Sequence, residues 1–225
     1  MPLEIVPAIL AKSEEEFREK LRLIERAVPL VQIDVMDGEF VPNTTWADPL
    51  VVAQMKTPTR FEVHLMVKEP FREVILWGKL KNVRRTIVHA ESTTQLRTLL
   101  HTIRATGKEV GLAVNPSTRI SSLSSQGGSA SGGESGIWNS IDFLLVMGND
   151  PGFSGRPFRR ATLKRIAALR KQFPKLPIGV DVGVDLATAP LLRKAGATHI
   201  AAASSVFGSD DPVAAYRALK REFGA

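Results

Sequence analysis

Cysteine is absent from the 225-residue chain. That excludes disulfide staples, thiolate metal sites and a cysteine nucleophile, and it suits a reducing, cytoplasmic setting. Aromatic residues are scarce, 6% of the chain with a single tyrosine, Tyr216. The scattered Lys and Arg are therefore not interleaved with aromatics that would stack on bases, and nucleic acid is not an expected partner. No apolar run approaches the roughly 18 residues that a membrane span needs. The segment MPLEIVPAIL lacks a basic stretch ahead of an apolar one, and Glu14, Glu15 and Glu16 follow closely, so no signal peptide and no membrane partner are expected. What remains is ordinary globular material, 44% hydrophobic and 24% charged, which excludes wholesale disorder. Lys and Arg exceed Asp and Glu by 30 to 23, a net charge of +7. That excess reads either as a solvated basic surface or as attraction for a phosphorylated small molecule.

Short apolar runs alternate with amphipathic segments. Candidate strands lie at 4–10, 31–36, 60–67, 85–90, 109–115, 141–147, 177–182 and 199–204. They are rich in Val and Ile and often apolar on consecutive positions, as strands buried on both faces are. Helical patterns separate most of them. Ser13 with Glu16 has capping-box spacing, Asp48 begins a short helix, Pro70-Phe71 opens another, and Thr93 or Thr94 starts the next. Further helices are expected over 161–173, 185–195 and 211–223. Repeated strand–helix units imply a parallel sheet. Eight of them imply a closed (β/α)₈ TIM barrel, with 1–225 as one domain. An open doubly wound sheet is the rival. The stretch 121–136 is dominated by Ser and Gly and predicts a flexible insertion that weakens or replaces the fifth helix.

In such a barrel, chemistry gathers at the C-terminal strand ends. Alternation puts Gln32, Asp34 and Met36 on one face of the second strand, and Glu62, His64 and Met66 on one face of the third. The seventh strand ends in Asp181. Singly, each polar residue reads as a turn, a cap or a structural histidine. Together, Asp34, His64 and Asp181 come from separate strands to one mouth and make a candidate divalent-cation site. Nearby, Gly148 to Gly155 follows strand six, Gly183 follows strand seven and Ser204-Ser205 follow strand eight. Glycines let backbone N–H groups approach an anion closely, and barrels often hold phosphate between the last two loops.

The segments PAIL (7–10), IDVMDGEFVPN (33–43), EVHLMV (62–67), VHAE (88–91), GLAVNPST (111–118), LLVMGNDPGFSGRPF (144–158), VDVGV (180–184) and SSVFG (204–208) resemble, in order, those of the ribulose-phosphate 3-epimerase family. The resemblance implies a ribulose-phosphate-binding barrel. It would interconvert D-ribulose 5-phosphate and D-xylulose 5-phosphate in the pentose phosphate pathway by two-base proton transfer through an ene-diolate. It implies Asp34 and Asp181 as the catalytic bases, and one divalent metal ion (Zn, Fe, Mn, Co or Mg) held by Asp34, His64, Asp181 and the residue at position 32. Substrate would meet Ala8, His64, Met36, Met66, Met147, Gly152, Phe153, Ser154, Gly155, Val182, Gly183, Ala203 and Ser204. It further implies a homo-oligomer, dimer or hexamer.

Four positions depart from the family pattern. Gln32 stands where the family has a fourth metal ligand, a His, and offers a neutral oxygen, which leaves three outcomes: a site for harder ions such as Mn²⁺ or Mg²⁺, a weak metal site, or none. Ala8 replaces a substrate-contacting Ser. Val182 replaces a Gly, which is strained if that backbone needs positive φ. Ala203 replaces a Gly and adds a methyl beside the expected phosphate. The alternatives are a 3-epimerase of another ketose phosphate, such as D-allulose 6-phosphate, and a catalytically inactive phosphosugar-binding barrel.

Overall fold

In a computed structural model, residues 3–125 and 136–225 are described. Among them, eight parallel strands close into a barrel: β1 (Glu4–Ile9), β2 (Leu30–Met36), β3 (Arg60–Met66), β4 (Val83–His89), β5 (Glu109–Val114), β6 (Phe143–Met147), β7 (Ile178–Asp181) and β8 (His199–Ala202). Each pairs with the next, and β8 returns to β1 through Glu4 opposite His199. The expected strands therefore stand, with ends moved by at most two residues.

Three helices begin where a side chain supplies an acceptor for orphan N–H groups. Ser13 caps α1 (Glu14–Ile24) by accepting from the Glu16 N–H, while Glu16 reaches back to the Lys12 N–H at 2.6 Å. Asp48 caps α2 (Pro49–Val52), and Asp211 caps the last helix, Pro212–Phe223. α3 (Phe71–Gly78) follows Pro70, α4 (Leu96–Ala105) follows Gln95, and α6 (Ala161–Gln172) lies where expected. α7 covers only Ala189–Ala195, not the expected 185–195. Asp185 and Thr188 bond each other's backbone N–H at 2.8 and 2.7 Å, which makes a turn of the first residues. Two short helices were not expected: a 3₁₀ turn at Ile137–Ser140, and α8 (Ser204–Phe207) directly after β8. The last helix is accordingly α9. Residues 121–125 belong to α5 (Ile120–Ser125), anchored by buried Leu123. Gly136 precedes the 3₁₀ turn, and the remainder of the expected insertion, 126–135, lies outside the described residues.

Strands and helices share one apolar layer. The outward Ile33, Val63, Leu65, Leu112 and Ile178 meet Phe17, Val74, Trp77, Leu99, Ile166 and Phe223 from the helices. Each fully buried aliphatic or Phe side chain there is worth about 1.5–3 kcal/mol. Inside the barrel, Ile87, Ala113, Phe143, Leu145 and Met147 form a second apolar cluster.

Beneath that cluster the barrel interior is charged. Buried Glu62 accepts from Arg85 at 2.9 Å and faces His199 Nε2 at 3.0 Å. His199 Nδ1 faces Glu4 at 3.1 Å, and Arg85 also donates to Glu109. The Arg85 guanidinium lies 3.8 Å from the Phe143 ring centroid. Burial alone would hold Glu62 neutral, but its cationic neighbours His199 and Arg85 drive its pKa below the ordinary value.

Candidate active site

Register brings the site together. In the β2–β3 ladder, Asp34 lies opposite His64 and Met36 opposite Met66; in the β6–β7 ladder, Met147 lies opposite Asp181. Inward alternation then aims all six at the C-terminal mouth. Gln32 sits one inward position below Asp34, opposite Ala8 of β1.

Gln32 Nε2 donates to Asp34 Oδ1 at 2.7 Å and to Asp181 Oδ2 at 3.0 Å. Two carboxylates from β2 and β7 thus meet at one amide nitrogen. His64 Nδ1 lies 3.2 Å from Asp34 and 3.4 Å from Asp181. All four side chains are buried. Burial, with the Asp181 charge beside it, pushes the Asp34 pKa up to about 6 against the pull of His64. For His64, burial opposes the charged ring, but hydrogen bonds to Asp181 and Asp34 outweigh it and push its pKa up to about 9.

Asp34, His64 and Asp181 each offer a ligand atom, all within 4.8 Å of one another. Gln32 Oε1 is buried and has no hydrogen-bond partner. An orphan acceptor is costly in a low-dielectric site, so an amide turned to present that oxygen to a cation would gain. Two carboxylates, an imidazole and an amide oxygen fit a divalent ion.

Above this cluster opens a cleft lined by Asp34, Met36, Met66, Met147, Gly152, Phe153, Ser154, Gly155, Asp181, Val182, Gly183, Ala203 and Ser204. Leu10, Val184 and Ala201 line it too, positions the sequence did not single out. Ala8 lies in an adjoining recess with Lys20, Ser154, Ala203 and Ser204. Gln32 and His64 do not line the cleft; they form the layer beneath it.

Val182 has φ 71° and Gly183 φ 76°. A β-branched residue in that region carries strain of about 1–3 kcal/mol. The Val182 N–H bonds Asp181 Oδ1 at 2.7 Å, and its side chain packs on the inner apolar cluster. At Gly183 a Cβ would stand 2.6 Å from backbone atoms of Phe158.

Other supports had no role assigned from the sequence: Asn43, His89 and Glu91 lie within the quoted motifs, and Thr45 lies just beyond one. Thr45 Oγ1 donates to the Asp34 carbonyl at 2.7 Å and accepts from the Met36 N–H, which pins the end of β2. Asn43 Nδ2 donates to the Gly152 carbonyl at 2.6 Å and so ties the β2 loop to the glycine loop after β6. His89 touches His64, and Glu91 stands beyond it.

The Ribulose-phosphate 3 epimerase family model matches residues 4–207. The chain is 30% identical over 217 residues to the Bacillus subtilis ribulose-phosphate 3-epimerase, covering 93% of this chain and 94% of that one. It is 32% identical over 225 residues to the Arabidopsis thaliana chloroplastic ribulose-5-phosphate-3-epimerase, covering 96% and 75%. Among solved structures, KGPDC from Streptococcus mutans superposes with a TM-score of 0.73 at 10% identity over 100% and 98% of the two chains, a likeness of fold. Motifs, barrel and relatives agree: the chain belongs to the ribulose-phosphate 3-epimerase family, isomerases that epimerise a pentose phosphate.

Proposed function

We propose that the protein interconverts D-ribulose 5-phosphate and D-xylulose 5-phosphate by moving a proton at C3 between two carboxyl groups, Asp34 and Asp181. The observation that carries this is the meeting of those side chains, from β2 and β7, at Gln32 Nε2 with 2.7 and 3.0 Å contacts under a glycine-rimmed cleft. Inversion needs an acceptor on one face of C3 and a donor on the other. One carboxylate takes the C3 proton, and the bonding electrons delocalise into the C2 carbonyl to give a planar ene-diolate. The other carboxyl delivers a proton to the opposite face. Asp34, with its pKa raised to about 6, holds and releases a proton near neutral pH.

Asp34, His64, Asp181 and Gln32 Oε1 would hold the divalent ion. When bound, the ion supplies Lewis acidity that offsets negative charge developing on the sugar oxygens. Met36, Met66 and Met147 give the sugar a polarizable apolar floor. Gly152 to Gly155, Gly183 and Ser204 take the phosphate, with Ala8, Val182 and Ala203 at its edge. A cytoplasmic setting and a homo-oligomeric assembly belong to the same reading, by resemblance to the family.

The test is turnover of D-ribulose 5-phosphate, D-allulose 6-phosphate and a phosphate-free ketopentose, each with and without Mn²⁺. Fastest turnover of ribulose 5-phosphate with Mn²⁺ supports the reading. Preference for allulose 6-phosphate reassigns the substrate, and no turnover of any supports the binding-only barrel.

Two variants sharpen it. Gln32→His replaces a neutral oxygen by imidazole and is expected to strengthen Zn²⁺ binding by roughly tenfold or more over Mn²⁺, read by calorimetric titration of each ion. Unchanged affinities would remove Gln32 from the ligand set. Gly183→Ala sets a Cβ against the Phe158 backbone at positive φ, at a cost of about 1–3 kcal/mol. If the phosphate loop carries that cost, KM rises roughly 5- to 150-fold with little change in kcat. A KM like that of the unsubstituted protein would take Gly183 out of the phosphate site.

A further inference from the structure

Directly behind His64 stands His89, and neither composition nor the proton-transfer scheme above gives it work. It is fully buried, stacked at 5.0 Å between ring centroids on His64, with Phe40 at 4.8 Å. His64 Nε2 and His89 Nε2 are 2.9 Å apart. One proton must lie between them, because two bare nitrogens at that distance repel. His89 Nδ1 is buried with no well-aligned partner, and the carboxylate oxygen Glu91 Oε2 stands 3.4 Å from it. The other oxygen, Glu91 Oε1, accepts from the Asn115 N–H at 2.9 Å and from Thr118 Oγ1. Arg165 in turn holds the carbonyls of Asn115, Pro116 and Thr118. Glu91 is thereby fixed, with one oxygen left for His89.

We propose that Glu91 and His89 are positioning residues that set the tautomer of His64, so that its Nδ1 lone pair faces the cation site between Asp34 and Asp181. The inference rests on the metal reading of that site given above. A neutral His89 has one ring proton. On Nε2 it would point at His64, and the bare Nδ1 would then face a carboxylate, acceptor against acceptor, in a buried place. On Nδ1 it lies on the side of the Glu91 carboxylate, 3.4 Å away, within its electrostatic reach. His89 Nε2 is then an acceptor, which keeps a proton on His64 Nε2, so Nδ1, whose proton faces Asp34 and Asp181 while the ring is charged, is the nitrogen that yields its proton to become the ligand atom. His64 Nδ1 is the nitrogen that lies 3.2 and 3.4 Å from the two carboxylates. Such outer partners of a metal-ligating histidine fix its ring and tautomer, and their loss typically costs 10- to 100-fold in metal affinity.

The isosteric variant Glu91→Gln gives the sharpest test. Its Oε1 keeps the acceptor place beside the Asn115 N–H, so the amide N–H₂ turns to His89 Nδ1 and inverts the order of protons. Two-bond ¹H–¹⁵N spectra of histidine-labelled protein read the tautomers directly, and titration with Mn²⁺ reads the affinity. We expect His89 as the Nδ1–H form in the unsubstituted protein and as the Nε2–H form in Glu91→Gln, with Mn²⁺ bound about 10- to 100-fold more weakly. Glu91→Ala, which removes the carboxylate without inserting a donor, should fall between the two. A residue that merely supported the loop would give the opposite order, Ala worse than Gln. An unchanged His89 tautomer in Glu91→Gln, or unchanged Mn²⁺ affinity in both variants, overturns the inference. Failure of the unsubstituted protein to bind Mn²⁺ is separate: it overturns the metal reading, and this one with it.

Discussion

Asp181→Asn is expected to lower kcat by about 10²- to 10⁴-fold, the range associated with one positioned acid–base group, while the protein stays folded. Asn keeps the shape of the side chain and an oxygen for the Val182 N–H, now held by Asp181 Oδ1 at 2.7 Å. Its Nδ2 takes the place of the oxygen that accepts from Gln32 Nε2 at 3.0 Å, and the Gln32 amide meets it by turning its unpartnered Oε1 towards it. What it loses is the capacity to take or give the C3 proton. Asp34→Asn should behave alike, because inversion uses both groups in every turnover. It also relieves the burial of a charge that already raises the Asp34 pKa, so its melting temperature should stay level or rise. Activity and thermal unfolding measured on the same preparation separate the two effects. Activity within tenfold of the unsubstituted protein, in either variant, would remove that carboxyl from the reaction.

Glu62→Leu should be the most destabilising of the polar substitutions in the barrel. Glu62 is fully buried and answers two cationic groups, Arg85 at 2.9 Å and His199 at 3.0 Å. Its loss strands both in the barrel interior, with Arg85 left to Glu109 and His199 to Glu4. Removing one partner of a buried pair costs about 3–5 kcal/mol. At about 2–4 °C per kcal/mol for a chain of this size, the melting temperature falls by roughly 6–20 °C. Thermal unfolding followed by circular dichroism reads it directly, and a fall under about 2 °C, less than 1 kcal/mol, would mean that the network is effectively solvated. Because a buried pair adds little net stability over apolar packing, a triple replacement by Leu, Met and Phe at Glu62, Arg85 and His199 should recover much of the loss. Acid should weaken the same layer. The His199 hydrogen bond lowers the Glu4 pKa from 4.5 to about 2, so the Glu4 contribution is complete above pH 4.5 and disappears as pH falls through about 2.

The strands were legible because they are rich in Val and Ile and often apolar on consecutive positions, even though several inward positions carry polar groups. Ser13, Asp48 and Asp211 marked helix starts because a short acceptor side chain before an apolar pattern has a local task. The sequence pattern starts α7 four residues early, because the Asp185–Thr188 pair looks like a helix start and folds as a turn. In the site, Asp34, His64 and Asp181 stood out as polar residues at inward positions of apolar strands. Val182 stood out as a β-branched residue where backbone freedom was wanted, and its φ of 71° agrees. Other features depend on register between distant strands. Arg84 and Arg85 read alike in sequence, yet Arg85 is buried and reaches Glu62, while Arg84 lies partly exposed between Glu4 and Glu109. Likewise VHAE was recognisable as a motif, but only the 2.9 Å contact with His64 gives His89 a role.

The fate of the C3 hydrogen tests the account most directly. With D-ribulose 5-phosphate in D₂O, D-xylulose 5-phosphate formed early should carry one deuterium at C3, because the donating carboxyl exchanges its proton with solvent. That incorporation should vanish with Asp34→Asn or Asp181→Asn. Xylulose 5-phosphate formed at full rate with its original C3 hydrogen, or with deuterium in either variant at an undiminished rate, would contradict transfer by the Asp34–Asp181 pair.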